Sequence, residues 1–180
     1  MIKRIFGRIL TIYRKANPLA YARGIGVKIG EGTKLIDNPS WGSEPYLISI
    51  GNNTLISGGV TFITHDFSVR VFKNKGKHEE LYKYGKIEIG DNCFIGMGST
   101  LMLNVKIGNN SIVAAKSVVT KSIPENEVWG GIPAKKIMTL EEYEGKMVLT
   151  CGKSSKEAMH NNRKQEIIRI ADELWLSHNR

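Results

Sequence analysis

The sequence predicts an all-β protein, a parallel β-helix with three short flat sides to each coil, and two observations carry that prediction. Between Ile87 and Pro124 the aliphatic residues Ile89, Ile95, Leu101, Ile107, Val113 and Val119 recur every six positions. Ile87, Cys93, Ser99, Val105, Ser111 and Ser117 stand two places ahead of them, mostly small and none charged. A helix repeats every 3.6 residues and a strand every two, so neither holds six such steps in phase; a coil of six-residue sides does. The second observation is a set of corner residues. Asn53, Asn92 and Asn110 follow Ile50, Ile89 and Ile107 by three residues, and Gly32 follows Ile29 in the same way. Asn and Gly are the residues that best tolerate the left-handed backbone a tight corner demands.

Residues 1–22 are expected to form an N-terminal amphipathic helix and linker. Ile2, Ile5, Phe6, Ile9, Leu10, Ile12 and Tyr13 recur at mainly helical spacing, with Lys3, Arg4, Arg8, Arg14 and Lys15 between them. The charges break the apolar run, which is too short for a membrane span and lacks a signal-peptide centre and cleavage site. Two readings stay open: a cap over the open end of the coil, or a cationic helix lying on an anionic membrane surface through residues 1–15. Asn17-Pro18 is expected to end the segment.

Residues 23–138 are expected to be the coil itself. Counting begins at Ile29 and Leu35, breaks over Pro39 to Pro45, and resumes at Ile50, Ile56 and Phe62. From Phe62 to Ile89 there are 27 residues, far more than one six-residue step. A polar, lysine-rich loop of about residues 67–86 therefore leaves the coil at one corner and returns there. In this register Ile50, Ile89 and Ile107 share the first side. Ile56, Ile95 and Val113 share the second, and Phe62, Leu101 and Val119 the third. The chain is expected to leave the six-residue count after Pro124. Residues 139–180 form an extension with a helix over 156–177, whose apolar face holds Ile167, Ile168, Ala171, Leu174 and Trp175.

The net charge of +9 suggests nucleic acid until it is located. Residues 1–28 carry seven basic residues and no acid, whereas residues 29–150 hold 13 of each sign. The coil is neutral, and no basic stripe with interleaved aromatics crosses it, which argues against nucleic acid as a partner. Two cysteines, Cys93 and Cys151, are too few for a disulfide framework and suit a reducing cytoplasm. Cys93 occupies a small inward position and reads as core.

Of four histidines, only His65 belongs to the coil. It follows Phe62 by three residues, at the corner where the long loop departs. A lone histidine is more often solvated or structural than catalytic; its place at the mouth of the one long insertion favours chemistry. The carboxylates that could orient it are Asp66 and Glu44, and neighbours along a strand point to opposite faces.

The stretch GSEPYLISIGNNTLISGGVTFITHD, the downstream GGIPAKKI, and Asn17-Pro18-Leu19-Ala20-Tyr21-Ala22-Arg23 resemble the hexapeptide-repeat acyltransferases. Within these they are most similar to the maltose and galactoside O-acetyltransferase group, in particular to bacterial capsule and lipopolysaccharide O-acetyltransferases. The likeness covers about residues 17–138. It implies a left-handed coil, a hand that spacing alone does not reveal. It implies acetyl-CoA as co-substrate without a metal, and direct transfer to a hydroxyl of a sugar or surface polysaccharide with His65 as general base. It further implies a cytoplasmic homotrimer with active sites between subunits, and peripheral contact with the inner face of the membrane would follow from the second reading of residues 1–15. The resemblance maps cofactor contacts onto Met97, Ala115, Thr120, Lys121 and Lys135. Gly96 and Ala114 are small residues at the same turns, and Lys136 adds a charge for the phosphates. Met97 departs from the small residue often found there. Candidate acceptor contacts are Asn104, which the register places beneath His65, together with Trp129, Tyr82 and Tyr84.

The same histidine would serve N-acetylation of a nucleotide-linked amino sugar, or O-acetylation of an antibiotic. A zinc hydrase on this coil needs three His ligands, but the residues beneath His65 are Asn104 and Ser122. Use of the coil as a scaffold without chemistry is a further class, against which His65 and the GGIPAKK segment argue.

Overall fold

The computed structural model describes residues 16–179. Residues 1–15, on which the capping and membrane readings rest, lie outside the described residues. Asn17-Pro18, expected to close a segment, opens a short helix over Pro18–Gly24. Proline in a first helical turn loses no intrahelical hydrogen bond, so it suits this position.

The coil is a left-handed parallel β-helix with three parallel sheets as its sides. The first side pairs Lys28–Ile29, Ile48–Ile50, Ile87–Ile89 and Val105–Ile107. The second begins with Lys34–Leu35, Leu55–Ile56, Phe94–Ile95 and Ile112–Val113. The third pairs Thr61–Phe62, Thr100–Leu101 and Val118–Val119. Ile50, Ile89 and Ile107 are direct partners, as are Ile56, Ile95 and Val113, and Phe62, Leu101 and Val119. The expected register therefore holds on all three sides, with the long loop lying outside the count. These residues are all buried. Burying such a side chain contributes about 1.5–3 kcal/mol, so the aliphatic columns are the main source of cohesion.

The corners show why the sequence repeats as it does. Asn53, Asn92 and Asn110 have φ of 51°, 54° and 55°, and Gly32 has 70°. Asn92 donates from Nδ2 to Asn110 Oδ1 at 2.9 Å, and Asn110 donates to Asn126 Oδ1 at 3.1 Å. At the second corner Gly59, Gly98 and Lys116 have φ of 70°, 67° and 60°.

Two sequence expectations need correction. The break expected over Pro39–Pro45 begins later, after Trp41. The count continues for one more step to Trp41, six residues after Leu35, where Ser40 bridges Thr61 and the Trp41 ring stacks on Phe62 at 5.0 Å. An aromatic ring takes the place of an aliphatic there, and the excess falls between Trp41 and Ile50. The chain also does not leave the coil after Pro124. Ile123 bridges Ile107, and Val128 and Trp129 pair with Ile112 and Val113. The strand Glu127–Gly131 then turns back antiparallel through Ala134–Thr139, closing that edge of the second side as a hairpin. The count was obscured because Ile107 to Ile123 is 16 residues, two short of a full coil.

The long loop is pinned at its base. Asp66 N–H donates to Lys83 O at 2.9 Å, Gly85 N–H donates to Thr64 O at 2.8 Å, and His65 bridges Tyr84. Beyond that base it forms a 3-10 turn over Phe67–Val69 and a short helix over Arg70–Lys73.

Residues 141–180 form a second compact unit. Instead of one helix over 156–177, helices cover Lys156–Asn161 and Arg163–His178, preceded by one at Leu140–Thr150. Arg169 lies between Glu166 and Glu173 and donates to Lys153 O at 3.0 Å. Its guanidinium holds the Glu166 carboxyl down at about 2.

Ile95 sits in the middle of the second column with no exposure, whereas Ile36 is 64% exposed. Ile95→Ala should lower the unfolding free energy by about 2–5 kcal/mol in urea titrations, and Ile36→Ala should change it by less than about 0.5 kcal/mol.

Candidate active site

The site is built at the third corner. Along Thr64-His65-Asp66 the side chains alternate, so Thr64 is fully buried while His65 faces the outside of the coil. The His65 Nδ1 lies 2.7 Å from Glu44 Oε2, with the two side chains 23% and 11% exposed. Thr64 Oγ1 donates to the same carboxylate oxygen at 2.7 Å. An ionised carboxylate only accepts hydrogen bonds, so Nδ1 carries a proton, and in the neutral imidazole the lone pair is then on Nε2.

Glu44 follows Trp41 by three residues as His65 follows Phe62, so the Ser40–Thr61 register stacks the two at the same corner of successive coils. The step from Trp41 to Ile50 is three residues longer than a regular side, and a 3-10 turn over Pro45–Leu47 follows Glu44 there. Burial by itself would push its carboxyl up. The Thr64 hydroxyl and then the His65 ring outweigh that and hold it below its ordinary value of 4.5.

Asp66, the other carboxylate considered, belongs to the loop. It accepts from Lys83 Nζ at 2.8 Å and from Ser68 N–H at 2.9 Å, and caps the 3-10 turn. The Lys83 ammonium first, then the Ser68 N–H, hold it well below the usual carboxylate range. The fold brings Glu44 to His65 and directs Asp66 elsewhere. Two aromatic rings complete the surroundings. Phe67 tilts against the imidazole at 4.2 Å between centroids, and Tyr84 meets both rings edge-on at 6.2 and 6.4 Å.

The other expected site residues fall in three places. Tyr82 is in the loop, its ring beneath the Lys73 ammonium at 3.9 Å. Asn104 is an exposed corner residue with φ of 61°, its N–H donating to Lys86 O at 2.9 Å. The remainder surround the second corner. Gly96 N–H donates to Val113 O and Ala114 N–H to Trp129 O, both at 2.8 Å, so three coils meet at small residues. A Cβ on Gly96 would run into the Ala114–Ala115 backbone, and one on Gly130 would come within 2.9 Å of the Ala114 Cβ. Outside this close-set wall Met97, Ala115, Thr120, Lys121 and Lys135 are exposed. Lys136 and Trp129 are held by one residue the sequence reading passed over: Glu127 accepts from both at 2.6 Å, through Oε1 and Oε2. Its position two before Trp129 on the same strand face was the available signal. Thr64 and Phe67 were missed as well, though the register already placed Thr64 inward and Phe67 beside the histidine.

The His65 corner and the Met97–Ala115 corner lie at opposite ends of the third side, six residues and up to about 20 Å of extended chain apart. Among the described residues no group of three or more His, Cys, Asp or Glu could hold a metal ion, and no helix is long and apolar enough to cross a membrane.

Coil, corner histidine and small-residue wall together define a hexapeptide-repeat protein of the transferase kind. Residues 86–121 match the bacterial transferase hexapeptide (six repeats) family. The chain is 44% identical over 144 residues to Protein CapG of Staphylococcus aureus, covering 79% of itself and 82% of that protein. It is 31% identical over 149 residues to the galactoside O-acetyltransferase of Escherichia coli (strain K12), covering 80% of itself and 69% of that enzyme. A solved maltose O-acetyltransferase from Clostridium difficile 630 superposes with a TM-score of 0.55 at 30% identity, over 64% of this chain and 60% of that one, so the match spans about three-fifths of that structure's length. The chain belongs to the hexapeptide-repeat transferase family.

Because the folded state lowers the Glu44 pKa, the carboxylate's contribution to stability is complete above the ordinary value of 4.5 and is lost as pH falls through the lowered folded value. The gap in unfolding free energy between wild type and Glu44→Gln should therefore be widest near neutral pH and narrow below pH 4.5, as read by chemical denaturation across pH.

Proposed function

We propose that the chain transfers an acetyl group from acetyl-CoA to a hydroxyl of a sugar, the acceptor being part of a surface polysaccharide or its precursor. The observation that carries this reading is the His65–Glu44 pair at the coil's outer corner, in which Nδ1 is tied to a carboxylate; in the neutral ring that arrangement leaves the lone pair on Nε2. In this reading Nε2 takes the proton of the acceptor hydroxyl as its oxygen forms a bond to the thioester carbonyl carbon. The C–S bond then breaks, and the imidazolium returns the proton to the departing thiolate. Glu44 holds the ring in the required tautomer and stabilises the imidazolium. The thioester is already activated, so no acyl-enzyme is required and the protein's work is alignment.

The close-set wall of Gly96, Ala114 and Gly130 suits a pantetheine arm lying along the coils, with Met97, Ala115 and Thr120 at its edge. Lys121 and Lys135 suit the phosphates, and Lys136 would have to exchange its Glu127 partner to join them. That wall stands a full side away from His65 within one chain. The separation supports a three-fold assembly in which one subunit's His65 corner meets the next subunit's second corner, and a closed ring reuses one patch pair three times. The names of the relatives support acetyl transfer to sugars, and the free thiols of Cys93 and Cys151 fit a reducing cytoplasm.

The test is thiol release from acetyl-CoA over a panel of sugars, glycan fragments and nucleotide amino sugars. Turnover on an acceptor should fall about a hundredfold or more in His65→Ala with the fold intact by circular dichroism. Equal rates in the two proteins would remove His65 from the mechanism.

A further inference from the structure

We propose that the protruding loop is a reader of negative charge on the acceptor, so that the sugar accepted by this site is an anionic one carrying a carboxylate or a phosphate. This rests on the acetyltransferase reading above and narrows its substrate class.

Residues 67–86 hold six basic residues and two acidic ones, whereas residues 29–150 as a whole carry equal numbers of each. The loop is thus a positive island on a body that is otherwise acidic, with 7 basic and 11 acidic residues over the rest of 29–150. It also encloses a groove of about 370 Å³, lined by Phe67, Val69, Arg70, Lys73, Asn74 and Tyr82. That lining has the makeup of a subsite for a charged sugar. Phe67 offers an aromatic surface to a pyranose, the Asn74 amide offers a donor and an acceptor, and Arg70 and Lys73 supply two cations. Lys73 is held above the Tyr82 ring at 3.9 Å, which places its charge within the groove.

Among the described residues, neither Arg70 nor Lys73 forms an ion pair with a carboxylate. Lys83 is the loop cation engaged by Asp66, and Glu80 faces His78. Lys73 beside the Tyr82 ring and Arg70 in the same lining thus have no counter-ion among the described residues, which leaves their charge open to an external anion. The groove is also continuous with the proposed chemistry, because Phe67 lines it and at the same time leans on the His65 ring at 4.2 Å. A sugar stacked on Phe67 therefore lies one side chain from the proposed base.

Matched acceptors test this: galactose, galacturonic acid and galactose 6-phosphate, assayed by thiol release and by calorimetric binding. Three proteins are compared, namely wild type, the Arg70→Gln/Lys73→Gln double variant, and Lys77→Gln, which removes a loop charge outside the groove. Wild type should bind an anionic sugar about tenfold or more tighter than galactose, and the double variant should lose that preference. Its KM for acetyl-CoA should not move, and Lys77→Gln should keep the preference. Galacturonate against galactose 6-phosphate shows which anion is read. Equal binding of neutral and anionic sugars by wild type would overturn the proposal, as would a double variant whose defect lies in the acetyl-CoA KM. The binding arm needs no turnover. Anion-selective binding without thiol release would uphold the subsite and count against the acetyltransferase reading instead.

Discussion

The constraint on which the rest of the structure depends is the corner. A three-sided coil must turn sharply three times in each circuit, and two corner columns do so through backbone that L-residues rarely adopt. Asn53, Asn92 and Asn110 at one column, and Gly59, Gly98 and Lys116 at the next, accept that cost. They repeat in register because the aliphatic columns between them admit only one alignment. Slipping a coil by one residue would turn each inward side chain to solvent. Function grows out of the third column, where His65 takes the place corresponding to Asn104 one coil later and the chain departs into the loop instead of turning.

Regularity stacks Glu44 at the corner one coil before His65, and an interruption completes the surroundings. The insertion after His65 brings Phe67 and Tyr84 around it. A coil of perfect hexads would lack these rings. Thr64 links the two levels of organisation, since its inward side chain belongs to the core and its hydroxyl fixes the carboxylate oxygen that fixes the histidine.

The same division governs what could be read from sequence. The columns, the register across the loop, the asparagine corners and the place of His65 were legible because they depend on local spacing. Trp41 was not, because an aromatic ring replaced the aliphatic that the count was following. The last coil was not, because it is two residues short. Glu44 and Asp66 were not ranked, since missing Trp41 hid that Glu44 stands three residues beyond it, at the corner one coil before His65. In the sequence Asp66 is adjacent to the histidine and Glu44 is 21 residues away; in the fold the order of proximity is reversed. The pairing of Glu127 with Trp129 and Lys136 was hidden similarly, in a hairpin that the six-residue count did not anticipate.

The central claim is that Glu44 holds His65 with its proton on Nδ1 and its lone pair on Nε2. Long-range 1H–15N correlation spectra of 15N-histidine-labelled protein at neutral pH, assigned with a His65→Gln sample, observe this directly. The account predicts a neutral Nδ1–H tautomer at His65 that gives way to tautomer exchange in Glu44→Ala. A neutral Nε2–H tautomer in the wild type would contradict it.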